Sequence, residues 1–360
     1  MSQLITPQPP RIEYIDALRG FTMILVVFSH VELFSFGFPS PSPLGDLIVS
    51  FFMPLFFFIS GFIGYKPNIE WNLNTWLKMF KNKFSTMLIP TLIWGVIYTY
   101  IHLNSNIYTF ASHNLKLGYW FTIVLWEMFI IINTLNLLVY NSNGKTFKKH
   151  QLIGLITLAI IMIAAKFLLR SSPVLDEVGN ILSLHNTFRY FPYIAFGYIC
   201  SMYKSIFNRI ISHKHFSLAI IVLYVLLFYV NRHYIFPNIS NGILYRSLDL
   251  IISLTIGFLG LLIVYNSFRF YQHSFSYDRI FGKVLQYIGK RTLDIYLIHY
   301  FLLPKLPQIR EMLSIGNNSV LEIAIGGSLS IIIVGVCLVI SSIIRTSPIL
   351  AKYLFGIKFQ

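Results

Sequence analysis

YIDALRGFTMILVVFSHVELF, residues 14–34, is an apolar run that carries Asp16, Arg19 and His30 within it. A helix that spans a bilayer needs about 20 consecutive apolar residues, and this stretch supplies them. Its interruptions are informative, because one Arg or Asp near the centre of a spanning helix costs about 2.5 to 3.5 kcal/mol on insertion and so points to function. His30 follows Arg19 by eleven positions. At about 3.6 residues and 5.4 Å per turn the two share one helix face, about 16 Å apart along the axis. One stripe therefore carries a cation and a titratable base. Glu32, two residues further on, points elsewhere on the helix and is expected to line the outward mouth rather than to orient His30.

The chain has 360 residues, 56% of them hydrophobic and only 11% charged, and its mean hydropathy is +0.67. That composition is one of a polytopic membrane protein and excludes a soluble domain. A formal net charge of +15 would suit a nucleic-acid partner only if the basic residues formed one solvated patch. They fall instead in short connectors between apolar runs, so no nucleic-acid partner is expected. Cys200 and Cys337 lie far apart in apolar segments, with neither a disulfide framework nor metal-ligand spacing. No metal is expected, and the absence of a Walker motif, dinucleotide fingerprint or nucleophile elbow disfavours nucleotide hydrolysis.

Apolar stretches near 14–34, 47–65, 84–103, 117–140, 151–169, 186–203, 216–235, 247–265, 288–304 and 319–344 predict an all-α protein with about ten transmembrane helices. Pro192 interrupts the sixth, and Thr292 and Asp294 make the ninth more polar. Ten spans put both termini on one side, and short cytoplasmic loops are enriched in Lys and Arg. The N-terminal arm, the tail and the connectors on their side hold 19 of the 28 Lys and Arg, among them Lys66, Lys78, Lys81, Lys83, Lys290, Arg291 and Lys358. Lys116, Lys166, Arg170, Arg189, Arg232, Arg246, Lys305 and Arg310 fall on the other side. Both termini are therefore expected to be cytoplasmic. The first run lacks a small-residue cleavage site, which excludes a cleaved signal peptide. A cytoplasmic arm over 1–13, one membrane domain over 14–345 and a cytoplasmic tail over 346–360 complete the expected organisation, with outward loops over 40–46, 104–116 and 305–318.

The stretch RIEYIDALRGFTMILVVFSHV (residues 11–31) resembles the opening helix of the acyltransferase 3 family of integral membrane acyltransferases, which carry an Arg, ten residues and then a His in the first span. FFFISGF (56–62) is similar to the family's second-span signature. KFSTMLIP (83–90), GYWFTIVLWE (118–127), RYFPYIAFGY (189–198) and LQYIGKRTLDIYLIHYFLLP (285–304) follow in the family's order, so the resemblance runs from about 11 to 345. One departure is visible: Lys81 and Lys83 stand where the family usually has arginine before the third span, which weakens bidentate phosphate recognition there.

The resemblance implies transfer of an acyl group, most often acetyl, from cytoplasmic acyl-coenzyme A to a hydroxyl of a glycan or glycolipid at a bacterial inner (plasma) membrane. It makes His30, Arg19 and Asp16 the catalytic candidates, and Arg19, Lys83, Lys81, Ser60 and Gly61 the donor-binding ones. Glu32, Trp120, Glu127, Asp294 and His299 are the candidates on the substrate side. A neutral imidazole can take a proton from an attacking hydroxyl, help typically worth about 10² to 10⁴ in rate. Each residue also has a structural reading. Asp16 and Arg19 are three apart and suit a helical ion pair; His30 suits an interhelical hydrogen bond and Ser60-Gly61 close helix packing; Trp120, Trp126 and His299 suit interfacial positions. Glu127 inside the fourth span needs a partner, for which Arg19, Arg189 or an acceptor hydroxyl are candidates, and Asp294 has the same status. A transporter or polysaccharide exporter that uses the intramembrane charges as a pathway is the alternative. Matched Gly or Pro breaks in two halves would favour it, and Pro54, Pro90 and Pro192 form no evident pair. Some relatives carry a linked esterase-like domain; none is expected in a chain that ends about 16 residues after its last span.

Overall fold

The computed structural model describes residues 11–38, 42–235, 243–316 and 319–357. Most of the 1–13 arm, parts of the 40–46 and 305–318 loops, and Lys358 lie outside these residues, as does the side chain of Arg246. The described residues form helices and connectors with no strand. In chain order the principal helices are α1 (Glu13–Ser35), α2 (Pro43–Gly64), α3 (Leu73–His102), α4 (Trp120–Val139) and α5 (Gly144–Leu169). They continue as α6 (Leu184–Met202), α7 (Lys214–His233), α8 (Ser247–Phe270), α9 (Ile280–Lys290), α10 (Thr292–Leu302) and α11 (Ser319–Ile344).

Among the described residues eight of these helices are long and apolar enough to cross a membrane; α6, α9 and α10 are not. α6 occupies the sixth expected span, but His185, Asn186 and Thr187 open it, buried against neighbouring helices. The ninth expected span is not one helix. Arg291 leaves helical geometry (φ −119°, ψ 21°), so α9 ends at Lys290 and α10 restarts at Thr292. Three starts fall earlier than apolar content alone places them, because side chains cap the orphan amides: Asn72 accepts from the Thr75 amide at 2.8 Å to begin α3, and Asn143 caps α5. Ser42 does the same for α2, with Pro43 in the first turn.

Two glycine-mediated crossings set the geometry of the bundle. A Cβ on Gly20 of α1 would lie 2.0 Å from the Leu285 carbonyl oxygen of α9, and one on Gly289 would lie 1.8 Å from the Asp16 carbonyl oxygen. α2 and α6 meet in the same way, through Gly61 against the Ile194 carbonyl and Gly197 against that of Phe58. Lipid offers no hydrophobic drive for helix association, so close backbone packing at small residues carries much of it. Leu18, Phe57, Phe58, Phe191 and Tyr265 fill the spaces between the crossings and are buried. The α1–α9 contact also aligns α1 with α10, which follows α9 directly.

Candidate functional site

That alignment brings together residues far apart in the chain. Arg19 donates from Nη2 to the Thr292 hydroxyl at 3.0 Å, and its Nη1 is 3.6 Å from Asp16 Oδ1. Further along α1, His30 Nδ1 lies 2.8 Å from His299 Nε2, with the two rings nearly parallel. The hydrogen bonds assign the protons. His299 Nδ1 is 3.0 Å from the Ile295 carbonyl oxygen, which can only accept, so Nδ1 carries the hydrogen. His299 Nε2 is then an acceptor, His30 Nδ1–H donates to it, and the lone pair of His30 is on Nε2. The Tyr300 hydroxyl is 3.3 Å from that nitrogen.

A cavity of about 790 Å³ runs beside α1, within the roughly 300–1,000 Å³ of small-molecule and cofactor sites. Its lining joins two chemically different groups. One holds the cations Arg19, Lys66 and Lys83 with Asn82 and Asn133, and Lys66 and Arg19 are each near enough to repel the charge of Lys83. The other holds His30, Glu32, Trp120, Tyr190, Tyr296 and Tyr300. Lys66 and Asn82 are exposed to solvent, and so are Leu33 and Leu115 in the lining near the other group. Wide π-helical turns, Val31–Ser35 and Phe84–Leu88, begin directly after His30 and Lys83, a feature frequent at functional sites.

Of the residues singled out from sequence, Arg19, His30, Glu32, Ser60, Lys83 and Trp120 line this cavity. Asp16 and His299 touch it through Arg19 and His30. Lys83 Nζ stands 3.8 Å over the Phe129 ring, whereas Lys81 is exposed and outside the lining. Gly61 lies in the α2–α6 crossing. Glu127 accepts from the Thr187 hydroxyl at 2.5 Å, a partner not among those its sequence position suggested, and Trp126 packs on Phe80 and Phe84. Asp294 accepts from Arg345 Nη2 at 2.7 Å and from the Ser341 hydroxyl at 2.5 Å, facing α11 rather than the cavity. Glu32 shares the Ser42 hydroxyl with Glu322 of α11.

Lys66, Thr292 and Tyr300 enter the lining without having been singled out. Positive-inside usage accounts for Lys66 equally well, and Tyr300 is one of 22 tyrosines. Only its place directly after His299 marked it. Outside the membrane-spanning segments, Lys116 precedes α4 and is buried; burial pushes its ammonium down to about 8, opposed by nearby Glu127. Its Nζ donates to the Ala111 and Asn180 carbonyls, each at 2.5 Å. Among the described residues no group of three or more His, Cys, Asp and Glu side chains converges to hold a metal.

A family model described as an acyltransferase domain matches residues 12–342, nearly the whole chain. No curated protein and no solved structure matches it.

Proposed function

The chain belongs to the acyltransferase 3 family and is a multi-pass membrane acyltransferase, and from that premise we propose that it moves an acetyl group from cytoplasmic acetyl-coenzyme A to a hydroxyl of a cell-surface or lipid-linked glycan. The observation that carries this reading is the single cavity that joins a cationic cluster to an imidazole whose lone pair faces it. In this reading Arg19, Lys66 and Lys83 hold the phosphates of the donor, and its pantetheine arm covers the roughly 16 Å of α1 between Arg19 and His30. Ser60 borders that path. His30 Nε2 takes the proton of the acceptor hydroxyl as the oxygen attacks the thioester, and returns it to the leaving thiolate. The His299 hydrogen bond holds His30 in the tautomer this needs, the role an orienting partner has in hydrolase triads. Asp16 aligns Arg19, while Trp120 and Tyr190, whose rings stack at 5.3 Å, offer a face to a sugar ring.

In the same reading ten spans over 14–345 cross the inner (plasma) membrane, with α6 and the α9–α10 pair completing the count and both termini cytoplasmic. Donor and acceptor then enter from opposite ends, consistent with exposed lining residues at both.

The test uses membranes of the native host and radiolabelled acetyl-coenzyme A. Wild-type membranes are expected to label the host glycan, and His30→Ala membranes with equal protein to lose about 10²- to 10⁴-fold of that rate. Full transfer by His30→Ala would remove His30 as the base. No transfer by wild type, with glycan accumulating inside cells that lack the protein, would favour export.

A further inference from the structure

Resting on the acyl-transfer reading above, we propose that Tyr300 is a catalytic residue: its hydroxyl is the hydrogen-bond donor that stabilises the oxyanion formed when the thioester carbonyl is attacked. Tyr296 and Tyr300 both line the cavity that His30 lines. The Tyr296 hydroxyl accepts from the Phe121 amide at 3.0 Å and donates to the Gly118 carbonyl at 2.7 Å, so its one proton is committed. Tyr300 differs. Its hydroxyl has one proton and two longer acceptors, the Gly118 carbonyl at 3.1 Å and His30 Nε2 at 3.3 Å.

The local backbone holds that hydroxyl in place. Lys116, Leu117 and Gly118 have φ of 46°, 51° and 109°, a run of left-handed residues that L side chains rarely adopt. At Gly118 a Cβ would lie 2.3 Å from the Tyr300 ring, so only glycine lets the ring reach His30. Strain kept at such a point is a feature of functional sites. Tyr119 and His299 pack on the ring, with centroids 5.2 Å and 4.1 Å away, so the hydroxyl is preorganised.

The proton inventory gives the order of events. An acceptor hydroxyl that donates to His30 Nε2 displaces the Tyr300 hydroxyl from the only lone pair that nitrogen has. Tyr300 then turns its proton to the carbonyl oxygen beside the base. The acceptor oxygen forms a bond to the carbonyl carbon while His30 Nε2 takes its proton, and Tyr300 donates a hydrogen bond, not a proton, to the resulting oxyanion. Collapse breaks the carbon–sulfur bond, and the imidazolium gives its proton to the thiolate. Ester and free thiol are the products, and His30 and Tyr300 return to their starting states. The carbonyl is therefore polarised most when an acceptor is present.

Tyr300→Phe keeps the ring and removes the hydroxyl. In native-host membranes with radiolabelled acetyl-coenzyme A, kcat is expected to fall about 10²- to 10³-fold, the range for loss of one oxyanion donor, with KM for the donor within about twofold. A second readout does not depend on turnover. With acetonyl-dethia-coenzyme A, a non-reactive ketone analogue carrying a ¹³C carbonyl, and host acceptor both present, the wild-type carbonyl stretch should shift to lower wavenumber and the shift should vanish in Tyr300→Phe. A kcat within about threefold of wild type, or the same carbonyl band in both proteins, would overturn the assignment. If His30→Ala loses transfer while Tyr300→Phe retains it, the base reading stands and the tyrosine reading falls. A wild type that transfers no label overturns both.

Discussion

The stretch Thr292–Leu302 presents buried ionisable groups at both of its ends, and the two ends use them differently. At Asp294 the carboxylate Oδ2 is met by Ser341 of α11 and by Arg345 just past its end, so its partners lie within the helix bundle. At His299 the contact with His30 leaves the His30 Nε2 lone pair to the Tyr300 hydroxyl at 3.3 Å, and both side chains line a cavity whose far part is lined by Arg19, Lys66 and Lys83. The two groups are five residues apart on one short helix, and both would raise the same flag as intramembrane polar groups. Intramembrane charge alone therefore does not separate a site from a brace. The separation comes from whether the group and its partners line the cavity, as His30 and Tyr300 do, or stand apart from it. By that measure the Lys116–Glu127–Thr187 group, with two carbonyls and a hydroxyl as partners, belongs with Asp294.

The largest effect should come from setting one end against the other. His30→Ala is expected to cost transfer by the factor given above while leaving the melting temperature in detergent nearly unchanged. Asp294→Asn should do the reverse, with about 1.5 to 3 kcal/mol of stability lost, the range for hydrogen bonds to charged groups, and transfer per folded molecule retained. A large loss of transfer in Asp294→Asn at unchanged stability would break the contrast and return Asp294 to the reaction.

A smaller effect distinguishes the cations. Lys66→Gln should raise the donor KM about fivefold, as loss of one partly solvated ion contact worth about 1 kcal/mol does. Lys81→Gln, outside the lining, should leave it unchanged. Equal effects would mean that a diffuse basic surface, not the cavity, attracts the donor.

The smallest effect concerns pH. Lys116 loses its proton near 8 in the folded chain and near the ordinary 10.5 when unfolded. Between those values the unfolded state binds more protons, so stability rises with pH across that window. Lys116→Met should flatten this rise when melting temperatures of the two proteins are compared from pH 8 to pH 10.5. A rise of the same slope in both would show that Lys116 keeps its proton, held by the two carbonyls.

Much of the site is legible along α1 because a helix has a fixed period: Arg19 and His30 share a face whatever surrounds them. The resemblance of residues 11–31 and 285–304 to one family's motifs marks both partners of the histidine pair. What the chain does not reveal is which valences are filled. Glu127 has three candidate partners by sequence, Arg19, Arg189 and a hydroxyl of the acceptor, and instead accepts from the Thr187 hydroxyl, sixty positions away. Gly61 reads as a small residue suited to close packing, and only the crossing helix shows a carbonyl oxygen, that of Ile194, where a Cβ would stand. The ninth span reads as continuous because hydropathy averages across Arg291, where the backbone turns.

The sequence by itself determined that this is a helical membrane protein with a cation and an imidazole on one face of its first helix, because composition sets the solvent and periodicity sets the face. Tertiary structure alone decided that His299 meets His30, that Lys66 joins Arg19 and Lys83 around one cavity, and that Asp294 meets Arg345. Those are contacts between segments up to 269 residues apart, set by how closely glycine lets helix backbones approach, and no local pattern encodes that distance.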